Sequence, residues 1–137
     1  MTNYATAIRA ALEQHLAAMT PTLSTAYANE DFDPPANDTP YQRVSVLFGQ
    51  PGGGENGASF VAQGAMMVRL LYPAKAGWGA ALERAAAVQA HFRRGLAVPG
   101  DGLVVTISLT PEIGREDIDD GRFSLPLTIW FHTHISA

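Results

Sequence analysis

The chain has 137 residues, of which 47% are hydrophobic and only 16% are charged, so it is long enough for one core and too apolar for an intrinsically disordered protein. Its net charge of −4 and its single lysine, Lys75, argue against a broad basic surface for nucleic acid. The absence of cysteine excludes disulfide frameworks, thiol nucleophiles and zinc–thiolate sites. So few charges favour a surface that is partly covered by other copies of the chain or by partners.

The first predicted element is an amphipathic helix near the start of the chain. Its apolar residues recur every four positions, and they are Tyr4, Ile8, Leu12 and Leu16. Asn3 is placed to cap the helix, and the Thr20-Pro21 pair ends it, because proline disfavours a helical conformation in the residue before it. A short strand at residues 23–29 and a polar loop at residues 30–40 are expected next. No secretory signal is expected, because no basic end followed by an apolar run is present.

A long β-hairpin is predicted in the middle of the chain. Residues 41–48 alternate between apolar and polar side chains, and residues 60–72 form a second strand-like run that would span roughly 43 Å. We expect this long strand to project beyond the body of the protein. The glycine-rich tip between the strands has no side chain able to build a core, so it is expected to be mobile or to be ordered by a neighbouring molecule. It consists of Pro51, Gly52, Gly53, Gly54, Glu55, Asn56 and Gly57.

A second helix and two further strands complete the predicted fold. The expected buried stripe of the helix consists of Trp78, Ala81, Leu82, Ala85, Val88 and Phe92. The run Arg93-Arg94-Gly95 marks its end. Strands follow at residues 103–109 and 122–135, and Pro126 places part of the second at an edge or a bulge. The order α-β-β-β-α-β-β predicts one α+β domain over residues 1–137, with a mixed, mainly antiparallel sheet and two flanking helices.

Two loop patterns resemble ligand sites but fail in detail. Gly52-x-Gly54-x-x-Gly57 has the spacing of a dinucleotide fingerprint, but a strand is expected after it, where the fingerprint requires a helix N-terminus. The acidic pair Asp117 and Asp119 begins a calcium-loop pattern, but the twelfth position is Thr128 instead of glutamate. We therefore expect no nucleotide, calcium or other cofactor.

Histidines and large aromatics also give no clear sign of catalysis. His132 and His134 would share one face of the last strand, as a possible pair of metal ligands. A third ligand would be required, and neither His15 nor His91 has a sequence reason to converge there. The chain also lacks the Gly-x-Ser-x-Gly elbow of a serine triad. The two tryptophans are interpreted as core or interface anchors: Trp78 and Trp130.

Several segments together resemble one known group of proteins. They are Asp31-Phe32-Asp33-Pro34, Pro40-Tyr41-x-Arg43-Val44, the strand ending in Leu71-Tyr72-Pro73, and Gly77 before the alanine-rich helix. In these segments, and in the order of its elements, the chain resembles the tail terminator (tail completion) proteins of long-tailed bacteriophages and prophages. The resemblance implies a mixed sheet flanked by helices and a hexameric ring on the finished tail tube.

The resemblance also implies partners and a location. Such a ring halts polymerisation of the tail-tube protein and presents a surface to the head–tail connector, in the virion tail after assembly in the host cytoplasm. It implies contacts with other copies of the chain, and neither specific nucleic acid nor a membrane. The glycine-rich tip is then a candidate interface with a neighbouring subunit or the tail.

An acidic loop at residues 112–120 is a second candidate surface. It would line the pore or face a partner, where negative charge keeps DNA from sticking, or it is a solvated outer loop. Its acidic residues are Glu112, Glu116, Asp117, Asp119 and Asp120.

Two alternative functions of the chain stay open at this point. One is another head–tail joining or tail-tube component, and the other, from a different class, is a small α+β enzyme or ligand-binding domain.

Overall fold

The computed structural model describes residues 3–36, 38–53, 59–119 and 121–136. Within these residues the protein has two helices and one nine-stranded sheet, which confirms the predicted α+β fold. The elements are α1 (Tyr4–Ala17), β1 (Ser24–Tyr27), β2 (Tyr41–Phe48), β3 (Gly52–Gly53), β4 (Ser59–Pro73), α2 (Gly79–His91), β5 (Ala97–Pro99), β6 (Val104–Ile107), β7 (Glu112–Ile113), β8 (Asp117–Asp119) and β9 (Arg122–Ser136).

The sheet has the strand order β1-β2-β4-β9-β6-β5, and every adjacent pair is antiparallel except the parallel pair β1 and β2. The predicted hairpin of β2 and β4 is confirmed, with Val44 opposite Val68. The prediction that β4 projects beyond the body is wrong. All fifteen of its residues pair with β9, and near its start Phe60 packs edge-on against Tyr4 of α1, with ring centroids 5.2 Å apart.

One face of the sheet carries the core and both helices. The alternation of each strand sends one set of side chains to this face, and the buried cluster combines that set with residues of α1 and α2. Helix α1 starts where predicted, because the side chain of Asn3 accepts a hydrogen bond from the Thr6 amide at 2.8 Å. Gly95 follows α2 with a φ of +85°, the conformation expected of a glycine after a helix. Neither helix has the length and apolar character needed to cross a membrane, as far as the described residues go.

The predicted buried stripe of α2 is only partly correct. Ala81, Ala85 and Val88 are buried as expected, whereas Trp78 and Leu82 are exposed. At 100° per residue these two side chains lie 60° and 100° from Ala81, on the flank of the stripe. Gln89 lies on the same flank and donates a hydrogen bond to the Pro111 carbonyl at 2.9 Å, so this flank faces the segment before β7.

The acidic segment is not a free loop, contrary to the prediction. Its strands β7 and β8 pair with β9, with Ile113 opposite Leu127 and Ile118 opposite Phe123. Pro126 does not lie on an edge strand either, since β9 has neighbours on both sides. The carbonyl of Pro126 accepts a hydrogen bond from the Gly114 amide at 2.8 Å. The nitrogen of Pro126 faces the same side of β9 as this carbonyl, at the gap between β7 and β8. Its lack of an amide hydrogen therefore costs no hydrogen bond of the sheet.

Candidate interaction surfaces

The glycine-rich tip is anchored to the sheet at its base. Gly52 lies opposite Val61, and the Gly49 amide donates to the Gln63 carbonyl at 2.7 Å. Between the pairs Phe48–Gly64 and Gly52–Val61 the register shifts by one residue, as in a β-bulge. Pro51, Gly52 and Gly53 therefore continue the hairpin, whereas Gly54, Glu55, Asn56 and Gly57 lie outside the described residues. The role of the tip as an interface stays a prediction.

Two carboxylates of the acidic segment are paired with arginines of the sheet. Asp119 contacts Arg43 at 2.7 Å, and Asp117 contacts Arg69 at 3.2 Å. Burial alone would lower the pKa of Arg43, but Tyr41 and Asp119 outweigh it and raise that pKa. These pairs offset two of the five negative charges that the sequence places in this segment.

The other predicted acidic positions differ in their setting. Glu112 is exposed in β7, and Glu116 is half-buried before β8. Asp120 lies outside the described residues. The role of this segment at a pore or a partner surface stays a prediction.

A polar strap covers one end of the second sheet face, which carries no helix and is called the open face below. The described part of the strap is residues 30–36 and 38–40, and Arg122 holds it in place from beneath. The guanidinium of Arg122 is buried, lies 4.8 Å from the centre of the Tyr41 ring, and donates to three carbonyl oxygens of the strap. The accepting residues are Pro35, Ala36 and Thr39, at 2.6, 2.9 and 2.6 Å. Phe32 packs on the same tyrosine at 5.4 Å, so the Asp-Phe-Asp-Pro segment is fixed on the open face.

Beyond the strap, the open face carries an exposed apolar row, the open-face patch. It consists of Leu47, Ala65 and Trp130, which are direct neighbours in the register of β2, β4 and β9. Leu47 is 58% and Trp130 is 41% exposed, while Ala65 between them is buried. Beside Trp130 lies a hollow of about 340 Å³, lined also by Gln63 and Leu109.

The opposite side of the molecule carries a second apolar group, the helix-side patch. It consists of Trp78, Leu82, Ile118 and Phe123. Trp78 lies 5.5 Å from Phe123 between ring centres, and Ile118 is the register partner of Phe123. Leu82 is one helical turn after Trp78 on α2. Trp78 is 49% and Ile118 is 67% exposed, so neither tryptophan of the chain is a core residue.

The sequence suggested Trp78 and Trp130 as core or interface anchors but did not predict the patches around them, although two further signals were present. Leu47 is an apolar residue on the otherwise polar side of β2, and Ile118 is a lone apolar residue between two aspartates. Leu47 interrupts a row of mainly polar side chains, whereas Ile118 keeps the polar–apolar alternation of β8 within an acidic segment. Exposed apolar residues that form contiguous groups indicate contact surfaces, whereas scattered ones do not.

The histidines form two separate pairs. His132 contacts the Ser108 hydroxyl at 2.6 Å and lies 6.0 Å from the ring of His134. His15 and His91 stack at 3.9 Å, and each ring Nε2 bonds to the backbone carbonyl of the other residue. Across the described ranges, no three or more potential ligand residues are grouped to hold a metal ion. The Ser108–His132 contact joins the end of β6 to β9, and no described carboxylate is bonded to that histidine.

Comparison with known proteins identifies relatives of this chain. A family model described as "Phage tail terminator protein" matches residues 7–131. A solved structure known only by a sequence label is similar, with a TM-score of 0.74 and 25% sequence identity, and the match covers 95% of each chain. No curated protein matches the sequence.

Proposed function

The chain belongs to the phage tail terminator family and is thus a structural protein of the virion tail, and from this premise we propose that it caps the tail tube as a ring. The ring stops polymerisation of the tube and forms the surface to which the head attaches. The family match over residues 7–131 carries this proposal. It agrees with the resemblance inferred from the sequence, and it favours a structural role over an enzymatic one.

The surface of the protein supports self-assembly. A closed ring is built from head-to-tail contacts, so each subunit must present two different surfaces to its two neighbours. The open-face patch and the helix-side patch lie on opposite sides of the sheet, and both expose large apolar side chains, including Trp130 and Trp78. This arrangement suits a hexameric ring of identical chains.

The proposed partners follow from the position of such a ring. One side of it meets the tail-tube protein, and the other meets the head–tail connector, after assembly in the host cytoplasm. The glycine-rich tip at residues 51–57 is the proposed contact with a neighbouring subunit or the tube. The acidic positions at residues 112–120 are proposed to face the pore or a partner, with Glu112 and Glu116 carrying the charge that no described arginine pairs.

Deletion of the gene from the phage tests this function. We expect tail tubes of uncontrolled length that do not join heads, as seen by electron microscopy, and rescue by the intact gene supplied from a plasmid. Tails of normal length that join heads would contradict the proposal. Tails of normal length that fail to join heads would instead indicate a head–tail joining protein, and open tubes formed by the purified chain would indicate a tube subunit.

A further inference from the structure

Each of the two apolar patches groups several exposed apolar side chains at one place on the surface. Leu47 and Trp130 flank the buried Ala65 in one register row, so the open-face patch is continuous across three strands. On the helix side, Trp78 and Ile118 both contact or oppose Phe123. Neither patch contains a charged residue. Covering them therefore removes apolar surface from water without desolvating a charge.

The total surface also exceeds that of a compact monomer. A folded monomer of 14.6 kDa exposes roughly 6,900 Å² by the usual scaling with mass, whereas this chain exposes 7842 Å². The difference, on the order of 900 Å², belongs to the surface as a whole, and it is the grouping of exposed apolar side chains that points to the two patches as contact surfaces.

A second copy of the chain is the occupant that fits both patches. If open faces met each other, the contact would cover Leu47 and Trp130 and leave Trp78 and Ile118 in water. A head-to-tail contact covers both patches on every copy of a closed ring. The open face has the hollow beside Trp130, and the helix side offers the half-exposed ring of Trp78, which packs on Phe123 at the start of α2.

We propose that the open-face patch of one copy binds the helix-side patch of the next copy, with Trp78 seated in the hollow between Trp130 and Leu109. This inference rests on the proposed ring and names the surfaces that close it. Those surfaces differ from the glycine-rich tip, which is then left to contact the tube.

Single engineered cysteines test the contact directly, because the chain has no cysteine of its own. Gln63→Cys places a thiol in the wall of the hollow, and Ala86→Cys places one on α2, one turn after Leu82. The two variants are mixed in equal amounts, with and without tail tubes, and treated with a short bismaleimide. We expect links that join a Gln63→Cys chain to an Ala86→Cys chain to exceed links within either variant alone. Gln14→Cys, exposed on α1, is the control for random collision.

Matched apolar variants show whether the patches hold the contact. Leu47→Ser in the Gln63→Cys chain and Leu82→Ser in the Ala86→Cys chain should each reduce the mixed product roughly tenfold. Val104→Ser removes an equally exposed apolar side chain outside both patches and should leave the product unchanged. Unchanged melting temperatures would show that each variant is folded.

Several results would overturn the inference. These are mixed links no more abundant than those of the Gln14→Cys control, links mainly between identical variants, or no effect of Leu47→Ser and Leu82→Ser. If any of these results were found, and the gene deletion still prevented normal tails, the ring would close through other surfaces. Mixed links alongside normal tails in the gene deletion would confirm the contact and refute the capping function.

Discussion

Two arginines, Arg84 and Arg122, are buried, and neither contacts a carboxylate among the described residues. Arg122 satisfies its guanidinium with three backbone carbonyls and the face of Tyr41. Arg84 donates to the Pro21 carbonyl at 2.5 Å, and burial lowers its pKa while Tyr72 opposes that shift. Each arginine donates hydrogen bonds to backbone carbonyls of a segment that lacks regular structure. At the residue scale, these buried side chains therefore hold two loops against the rest of the protein.

Replacement of Arg122 by alanine should release the strap that it holds on the open face. The variant loses three charge-assisted hydrogen bonds and uncovers Tyr41, so we expect the free energy of unfolding to fall by about 2–4 kcal/mol in urea titrations. Amide exchange in the strap should become faster than in β4. Arg115→Ala, at an exposed position, should change stability by less than about 0.5 kcal/mol. Equal effects of the two replacements would contradict this account of Arg122.

At the scale of the elements, α1 and α2 meet at their C-terminal ends. His15 and His91 stack there, and each histidine bonds to the last turn of the other helix. Phe92 is fully buried beneath both rings, with centroid distances of 4.8 and 5.3 Å. The two helices therefore share one small cluster at their C-terminal ends.

Phe92→Ala should destabilise the protein by about 3–5 kcal/mol, because it removes a buried aromatic side chain and leaves a cavity between the helices. The measurement is the unfolding midpoint and slope in urea. Leu82→Ala is the matched control on the exposed flank of α2, and its effect should be below about 1 kcal/mol. A small loss for Phe92→Ala would show that the helices pack independently of this residue.

The histidine pair should make stability depend on pH. Burial lowers the pKa of His15, the charge of His91 lowers it further, and the hydrogen bond to the His91 carbonyl opposes both. The folded state thus binds the proton less readily than the unfolded state. The stabilising contribution is present above the unfolded pKa of about 6.5 and is lost as the pH falls through that value toward the folded pKa. Urea unfolding between about pH 7.5 and pH 5 should show this loss, and His15→Gln should reduce it.

Long elements were predictable from the sequence because their periodicity extends over many residues. This is true of α1 and of the hairpin strands β2 and β4. The short strands β7 and β8 were not, since two or three residues are too few to show alternation and their acidic composition is typical of loops. The pairing of β7 with β9 is a long-range contact, and so are the Arg43–Asp119 pair and the Arg122 strap, whereas β8 pairs with the residues of β9 that follow it closely in the chain. The exposure of Trp78 and Trp130 likewise depends on which neighbours the fold supplies.

At the scale of the whole molecule, the surfaces proposed for assembly lie on the two faces and at one end of the sheet. The two patches lie on opposite faces, whereas the base of the glycine-rich tip borders the hollow of the open-face patch, since Gly49 lines the hollow and Gln63 donates to the Gln50 carbonyl at 3.2 Å. The tip is thus separate from the helix-side patch and adjoins the open-face patch. A variant of the tip is therefore tested for the cross-links through the patches as well as for tail assembly.

Deletion of residues 54–57 tests the tip without disturbing the sheet. The β4–β9 ladder runs through Ser59–Ser136 independently of the tip, and shortening a loop changes its closure entropy only slightly, so stability should change by less than about 1 kcal/mol. We expect mixed cross-links through the two patches to persist, while the variant fails to restore normal tails in the gene deletion. Full restoration would exclude an interface role for the tip. Loss of the cross-links as well would place the tip between subunits of the ring, because these cross-links report only contacts between one subunit and the next.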